Sequence, residues 1–461
     1  MKKGKWGRIT VLMVVFLFML SNVSVFANNQ TSKFNMSYLY FGSPDNYINL
    51  VNRTNDSLNM VSPNYFDVDR NGNLVWTGTY RKAFVDEMHN RGIKVVPFLA
   101  NHWDITAGQN AFENRHALST AIAQAIEHYN LDGINVDIEG VGHAYRDQHT
   151  DFIRLLREKI PAHKEVSVAV AANPNGWNVG WHGNYDYRTL AQYADYLMIM
   201  AYDEHWQGST PGPVASLSFV ERSIQYALNQ GVPKEKIVVG MSFYGRIWKT
   251  DGERNADGFL INGRGVSHNQ IQPVLDRYNG QVVIDEHSQT PKATFTVREG
   301  DTYMTVGGVR LTPGEYVIWF DNEHSIKKKL QLVNSYDIKG TGSWSLFQED
   351  PQMWSYYKTY LNGLPVIGEP VEEPIVPITP IEPSDPVDAE PQPNPEPIEE
   401  QVEEITPTEP NAPKGKGNGN GKGNNRNVVD ESSGEEEIIT EPAPTPTPKN
   451  NGNGNGNGRN K

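Results

Sequence analysis

The chain has 461 residues, of which 38% are hydrophobic, and its formal net charge is -14 at pH 7. It contains no cysteine, which excludes disulfide bonds and thiolate catalysis. An acidic chain without a P-loop or dinucleotide fingerprint is not expected to bind nucleic acid, because phosphate binding requires a basic surface.

The first residues have the three regions of a secretory signal peptide: the basic "MKKGKWGR", the apolar "ITVLMVVFLFML", and "SNVSVFA", which ends in small residues. We expect cleavage after Ala27, export of the protein and no remaining membrane span. The alternative is an uncleaved anchor helix, but the apolar run is shorter than the ~20 residues that a membrane span needs. An exported chain without cysteine fits a bacterial protein that is secreted or associated with the cell wall.

Residues 28–362 contain eight apolar runs with strand character, which alternate with helical patterns. The runs are "FNMSYLYFG", "LNMVSPNYFDV", "IKVVPFLAN", "DGINVDIE", "EVSVAVAAN", "DYLMIMAYDEH", "KIVVGMSFYG" and "GTGSWSLFQ". Between them, "ALSTAIAQAIEHYN" places Leu118, Ile122, Ala125, Ile126 and Tyr129 at helical spacing. Eight strands alternating with helices predict an α/β fold, the (β/α)8 TIM barrel.

One connection is too long for a single helix. Residues 247–316 read as short strands separated by glycine turns, as in "PKATFTVREGDTYMTVGGVRLTPGEYVIWF". This alternating pattern predicts a small α+β insertion with antiparallel strands between strands seven and eight of the barrel. Such an insertion would form one wall above the barrel mouth.

The composition changes abruptly after the barrel. No basic residue occurs from Glu369 to Pro413, where Pro, Glu, Thr and Ile dominate, and the segments that follow are of low complexity, ending in "NGNGNGNGRNK". We therefore expect residues 363–461 to be a disordered tail, an extended spacer followed by a Gly/Asn/Lys-rich end. The tail either associates with an anionic cell wall through its basic part or is an inert solvated segment.

The stretch "LDGINVDIEG" carries the strongest functional signal. In a strand, Ile134, Val136 and Ile138 share one face, while Asn135, Asp137 and Glu139 share the other. In a barrel the polar set faces the axis, with Glu139 last, at the C-terminal mouth where active sites of this fold lie. The alternative is a solvated edge strand, which also alternates.

Stacked acids inside a barrel are costly to bury and indicate a function. Two carboxylates suggest glycoside hydrolysis, but residues on one strand rise along the same wall, ~6.6 Å apart, and cannot flank a sugar from opposite sides. A substrate that supplies its own nucleophile, a 2-acetamido group, removes this difficulty. The enzyme then needs one acid and one group that orients the acetamide.

"DGINVDIE" resembles the DGxDxDxE signature of glycoside hydrolase family 18, the chitinases and endo-N-acetylglucosaminidases. "LMIMAYDEH", "MSFYGR" and "GTGSWSLFQED" are similar to the family's sixth, seventh and eighth strands. The resemblance covers almost all of residues 34–360 and implies a secreted hydrolase of O-glycosyl bonds that needs no cofactor and no metal.

The resemblance also implies roles for individual residues. Glu139 corresponds to the general acid/base, Asp137 to the residue that holds the acetamido N–H, and Tyr202 to the donor to its carbonyl oxygen. Asp203 would line the same pocket, Trp344 would form the floor under the sugar in the -1 subsite, and Tyr244 and Arg246 would shape the cleft. Asp132 opens the motif and is expected to be structural.

Asn135 departs from the family pattern, which has aspartate at this position. We expect it to line the substrate site and to donate a hydrogen bond to Asp137, but an asparagine cannot ionise. Asp137 should therefore titrate more simply, since a neighbour of like charge is absent, and activity should survive.

Two segments bear on the substrate. "PFLANHW" lacks the Ser-x-Gly-Gly motif common in the chitinases, and "YDEHWQGSTPGPVAS" is similar to bacterial cell-wall and spore-cortex N-acetylglucosaminidases. These two segments favour peptidoglycan as the polysaccharide of 2-acetamido sugars that the enzyme binds. Cleavage is expected after N-acetylglucosamine. The LysM modules that such relatives often carry are not visible. The alternatives are a chitinase or endo-β-N-acetylglucosaminidase acting on chitin or N-glycans, and a non-catalytic lectin-like barrel.

Several aromatic residues and histidines follow predicted strands. Trp206 and Trp103, and with them Trp177 and Trp181, either stack on sugar faces or pack loops together. The histidines, including His102, His143, His149 and His205, show no metal-ligand spacing, and ordinary loop or core roles are expected for them.

Overall fold

The computed structural model describes residues 32–252, residue 258 and residues 261–364. The signal peptide predicted for residues 1–27 and the tail beyond residue 364 lie outside the described residues. No helix of the described part is both long enough and apolar enough to cross a bilayer.

Parallel strands form a barrel, with an antiparallel sheet inserted before the last of them. The strands up to the insertion are β1 (Phe34–Leu39), β2 (Met60–Pro63), β3 (Phe66–Val68), β4 (Leu74–Trp76), β5 (Lys94–Val95), β6 (Phe98–Ala100), β7 (Gly133–Asp137), β8 (Glu165–Ala171), β9 (Tyr196–Met200) and β10 (Ile237–Ser242). The insertion contains β11 (Tyr244–Lys249), β12 (Asn262–Ser267), β13 (Gln281–Asp285), β14 (Thr290–Val297), β15 (Thr305–Val306), β16 (Val309–Arg310) and β17 (Gly314–Trp319). The barrel ends with β18 (Gly340–Trp344).

The helices follow the strands in alternation. They are α1 (Tyr47–Asn52), α2 (Lys82–Asn90), α3 (Ile105–Glu113), α4 (Arg115–His128), α5 (Arg146–Lys159), α6 (Tyr187–Tyr193), α7 (Leu217–Asn229), α8 (His268–Tyr278), α9 (Glu323–Ser335) and α10 (Tyr357–Leu361). Helix α4 covers most of the predicted helical segment, and Leu118, Ile122 and Ile126 are buried on one of its faces.

The third strand of the barrel consists of β5 and β6, and it completes the circle of paired strands. Strand β18 pairs in parallel with β10 and β1, β1 pairs with β2, and β2 pairs with β5. After Pro97, which has no N–H to donate, the same chain continues as β6 and pairs with β7. The predicted (β/α)8 barrel is confirmed.

The two faces of each barrel strand pack into different cores. Ile134, Val136 and Ile138 belong to the large core between the sheet and the surrounding helices. Side chains that point inward form a second core, which includes Met36, Tyr38, Met60, Phe98, Tyr196 and Met198. Asn135 and Asp137 alternate with the outward residues and are buried on the inner side of β7, as the sequence pattern predicts.

The inserted lobe is an antiparallel sheet of five strands in the order β12-β11-β17-β14-β13. Helix α8 covers one face of this sheet, where Ile247, Val274 and Ile318 are buried together. Only Phe243 separates β10 from β11, so the lobe rises directly from the C-terminal end of a barrel strand. This short connection places the first lobe residues, Tyr244 and Arg246, at the barrel mouth.

Candidate active site at the barrel mouth

Asn135 is held by side chains of strands β1 and β8. The hydroxyl of Tyr38 donates to its Oδ1 at 2.9 Å, and its Nδ2 donates to Oγ of Ser167 at 2.9 Å. The side chain is fully buried. The expectation that this amide donates to Asp137 is therefore wrong, because Ser167 on β8 receives the hydrogen bond instead.

Asp137 is the last residue of β7, and one of its carboxylate oxygens is buried. Its Oδ1 is shielded from solvent and has no hydrogen-bond partner among the described residues. Burial raises the pKa of Asp137 to about 7, although the positive charge of His102 lowers it. A buried carboxylate oxygen without a partner is costly, and a ligand N–H placed there would remove this cost.

Glu139 lies two residues beyond Asp137 and is positioned by Asn101. The side chain of Asn101 accepts from the main-chain N–H of Glu139 at 2.8 Å and donates to its carbonyl oxygen at 2.8 Å. Burial raises the pKa of Glu139 well above its usual range, and the negative charges of Asp137 and Asp203 raise it further. The carboxyl group therefore carries a proton at pH values where an exposed glutamate is ionised. Glu139 thus lies close enough to Asp137 for their ionisation to interact, although residue 135 is uncharged.

Tyr202 follows β9, which is separated from β7 by one strand, β8. Burial raises the pKa of its hydroxyl well above the ordinary value of 10.0, so the group remains a proton donor. Its ring has room because residue 240 is glycine: a Cβ at Gly240 would lie 2.9 Å from Cε1 of Tyr202.

Asp203 joins the barrel to the lobe. Its Oδ1 accepts from the hydroxyl of Tyr244 at 2.7 Å and from Nε and Nη2 of Arg246 at 2.9 and 2.6 Å. Arg246 also donates to the carbonyl oxygen of Gly263, on lobe strand β12. Tyr244 and Arg246 thus hold the lobe against the end of strand β9, and their part in shaping a substrate cleft stays a prediction.

Trp344 ends β18 at the centre of the mouth. Its half-buried ring lies against Tyr38, Tyr40 and Phe98, with ring centroids 5.3, 5.5 and 5.9 Å away. The peptide bond between Trp344 and Ser345 is cis. These contacts place the indole against the inner core of the barrel, and its role as the floor under the sugar stays a prediction.

The other tryptophans that were candidates for sugar stacking contact neighbouring loop residues or lie close to the lobe. Trp103 packs edge-on against Trp181 at 5.2 Å between ring centroids, and Trp177 packs against His182 at 4.6 Å. Trp206 is half-buried in the loop after β9, and its carbonyl oxygen lies close to Gly263 of the lobe. Contacts between loops are therefore present at these positions, and stacking on sugars remains a prediction.

Several residues near the acids were missed by the sequence reasoning. Tyr38 holds Asn135, Asn101 holds Glu139, and the hydroxyl of Tyr185 donates to the carbonyl oxygen of Ile138 at 3.1 Å. Nε2 of His102 lies 2.9 Å from Oδ1 of Asp67. The one available signal was position: Tyr38, Asn101 and His102 lie in or directly after predicted strands, where residues of this fold reach the mouth.

Asp132, expected to be structural, lies away from this cluster. Its Oδ2 accepts from the main-chain N–H of Val95 at 2.7 Å and contacts Nε2 of His89 at 2.8 Å. Within the described ranges, no group of three or more His, Asp or Glu residues could hold a metal ion.

Comparison with known proteins points to one family. The family model described as "Glycosyl hydrolases family 18" matches residues 36–349. The chain is 31% identical over 215 residues to the Bacillus subtilis protein YdhD, named as a sporulation-specific glycosylase, and the match covers 46% of each chain. It is 26% identical over 305 residues to the cortical fragment-lytic enzyme of Bacillus subtilis, covering 60% of this chain and 66% of that protein.

A solved structure is also similar. The chitinase from Chromobacterium violaceum ATCC 12472 is 25% identical, with a TM-score of 0.61, and the superposition covers 72% of this chain and 99% of the chitinase. The chain spans about half the length of YdhD and just under two thirds of the cortical fragment-lytic enzyme.

Proposed function

This chain belongs to glycosyl hydrolases family 18, and we propose that it hydrolyses β-1,4 bonds after N-acetylglucosamine in peptidoglycan by a substrate-assisted, retaining mechanism. The observation that best supports this is the pairing of a buried, unpartnered Asp137 oxygen with a buried Glu139 carboxyl group, whose pKa is raised, two residues later. One group is suited to accept an amide N–H and the other to donate a proton.

In the first step, Glu139 donates its proton to the glycosidic oxygen as the bond to the anomeric carbon breaks. The carbonyl oxygen of the substrate's own 2-acetamido group attacks the same carbon, forming a cyclic oxazolinium ion. Asp137 accepts the hydrogen bond of the acetamido N–H, and Tyr202 donates to its carbonyl oxygen. The raised pKa of Glu139 favours this proton donation at neutral pH.

In the second step, the ionised Glu139 removes a proton from a water molecule. The water oxygen attacks the anomeric carbon from the side that the leaving group vacated, and the oxazolinium ring opens to restore the acetamide. Two displacements at one carbon retain its configuration. No residue of the protein forms a covalent bond to the sugar in this sequence.

Peptidoglycan is favoured over other acetamido sugars by the relatives. The similarity to a cortical fragment-lytic enzyme and the segment "YDEHWQGSTPGPVAS" both support a cell-wall substrate. N-acetylmuramic acid also carries an acetamide, but its lactyl ether and peptide are bulky, so N-acetylglucosamine is the better occupant of the -1 subsite. We infer from the sequence alone that the protein is exported.

Chitin or N-glycan cleavage is the second candidate function, since the similar Chromobacterium violaceum protein is a chitinase. A non-catalytic lectin-like barrel is a third, and the presence of Glu139 with a raised pKa argues against it. The three candidates differ in the products that they predict.

Mass spectrometry of the products tests the proposal. Wild type, Glu139→Gln and the control Glu127→Gln, on the exposed side of α4, are incubated with vegetative and spore-cortex peptidoglycan, chitin oligosaccharides and a high-mannose glycopeptide. We expect muropeptides with N-acetylglucosamine at the new reducing end, formed by wild type and Glu127→Gln but reduced about 10²- to 10⁴-fold in Glu139→Gln. Cleavage of only chitin or glycopeptide would mean that this polymer, and not peptidoglycan, is the substrate. Binding without products would indicate a lectin.

A further inference from the structure

His102 follows β6, the strand that lies between two strands bearing carboxylates, β3 and β7. Ala100 of β6 pairs with Asp67 of β3 on one side and with Asp137 of β7 on the other. Both neighbours of Asp67 in the chain, Phe66 and Val68, pack in the outer core, so Asp67 faces inward. His102 follows Ala100 by two residues, and its ring lies 6.0 Å from that of Tyr40, which also contacts Trp344.

The main chain adopts a left-handed conformation at this point. The φ angles of His102 and Trp103 are 47° and 60°, in a region that residues with a side chain rarely occupy. Two successive residues of this kind are costly and concentrate at functional sites. Here the turn allows Nε2 of His102 to approach Oδ1 of Asp67 to 2.9 Å.

Other charged and titratable groups face the same part of the mouth. They are Asp67, Asp137, Glu139, Asp203 and Arg246, together with the tyrosines Tyr38, Tyr185, Tyr202 and Tyr244. Arg246 is bound to Asp203. Within this set, His102 is therefore the basic group whose charge acts on Asp137.

The charges of His102 and Asp137 depend on pH in complementary ways. The hydrogen bond to Asp67 raises the pKa of His102 above 6.5, so the imidazole is a cation on the acid side of neutrality. Burial raises the pKa of Asp137 and the positive charge of His102 lowers it, which together leave it at about 7. Without the cation, Asp137 would therefore take up its proton at a higher pH.

We propose that His102, held by Asp67, is a positioning residue that keeps Asp137 ionised for its contact with the substrate acetamide. This inference rests on the proposed function, because it assigns Asp137 the same role. Asn135 is engaged by Tyr38 and Ser167, and its amide exchanges no proton with Asp137.

The pH dependence of turnover in His102→Asn tests this role. Asparagine tolerates a left-handed backbone better than most residues, so the variant removes the charge with little change in the turn. We expect the ascending limb of the kcat profile to move about one pH unit upward, which lowers kcat about tenfold on the acid side, with KM little changed. Asp67→Asn should shift the limb less in the same direction, and the double variant no further than His102→Asn. The control His116→Asn, at an exposed position on α4, should keep the wild-type profile.

A second measurement does not depend on turnover. Carbon-detected NMR of full-length protein labelled with [13Cγ]aspartate, with Asp137 assigned from Asp137→Asn, should show that the midpoint of Asp137 rises in His102→Asn and not in His116→Asn. An unmoved midpoint, or a loss of kcat that is uniform across pH, overturns the inference while the hydrolase activity stands. If wild type hydrolyses none of the substrates, the proposed function fails, and the NMR titration still decides whether His102 controls the ionisation of Asp137.

Discussion

The side-chain amide of Asn101 makes two hydrogen bonds to the main chain of Glu139, both at 2.8 Å. The pair connects the loop after β6 to the residue that ends the acidic motif. Because Asn101 is only 3% exposed, water cannot replace these bonds in the native state. The position of the proposed acid therefore depends on a residue of the neighbouring strand.

Asn101→Ala is expected to lower kcat about tenfold and to destabilise the fold by about 1–3 kcal/mol, because the N–H and C=O of Glu139 lose their partners. Asn101→Asp tests the two hydrogen bonds separately. An ionised aspartate still accepts from the main-chain N–H of Glu139 but cannot donate to its carbonyl oxygen. Its kcat should fall between those of wild type and Asn101→Ala. Steady-state kinetics and urea denaturation measure both effects, and a wild-type kcat for Asn101→Ala would contradict the positioning role.

Asn135→Asp is expected to change turnover by less than about tenfold, because a protonated carboxyl group can accept from Tyr38 and donate to Ser167 as the amide does. The buried acid should stay neutral beside Asp137. The measurement is kcat on the best substrate from the product analysis. A rise of several orders of magnitude would mean that the natural site is degenerate.

Lys329 and Asp321 form a buried ion pair below the lobe, with Nζ 2.6 Å from both carboxylate oxygens and side chains 2% and 3% exposed. Lys329→Met should destabilise the protein by about 3–5 kcal/mol, because Asp321 is left as an uncompensated buried charge. Adding Asp321→Leu should recover much of the loss. Thermal denaturation of the single and double variants measures this, and additive losses would contradict it.

His149 makes stability depend on pH. Burial lowers its pKa from 6.5 to about 4, since the ring is enclosed and stacked on Phe112. As the pH falls from 6.5 to about 4, the unfolded chain takes up this proton before the native state does, so stability is lost over that range.

The expected loss from His149 is about 2–3 kcal/mol. His149→Gln should be less stable than wild type at neutral pH, because the hydrogen bond to Asn184 is disturbed, but its stability should fall less steeply between pH 6.5 and 4. Urea midpoints across this range measure the slope. His116→Gln, at an exposed site, is the control, and an unchanged slope in His149→Gln would refute the assignment.

The barrel and its polar stripe were predictable because they depend on local patterns. Period-two alternation in "GINVDIE" separates Ile134 and Val136 from Asn135 and Asp137, and this separation holds in the structure. The antiparallel lobe was predictable from strand-length runs separated by glycine turns. Helix α8 within it was not predicted as an element, since a proline lies inside it at position 273.

The partners of the acids were not predictable, because they come from distant parts of the chain. Tyr38 lies 97 residues before Asn135, and Asn101 lies 38 residues before Glu139. The hydrogen bond expected from Asn135 to Asp137 was inferred from neighbours on one strand. Ser167 on the adjacent strand β8 and Tyr38 on the more distant strand β1 bind the amide instead.

The sequence by itself determined the period of the strands, the order of acids along β7 and the membership of the chain in its family, because each can be read from short motifs without knowing which motifs meet in space. Only the tertiary structure decided which groups surround those acids and therefore how they ionise. Burial and the charges of His102 and Asp203 set the pKa values of Asp137 and Glu139. Closure of the sheet into a barrel brings these groups together. The low dielectric around buried groups strengthens the interactions between their charges.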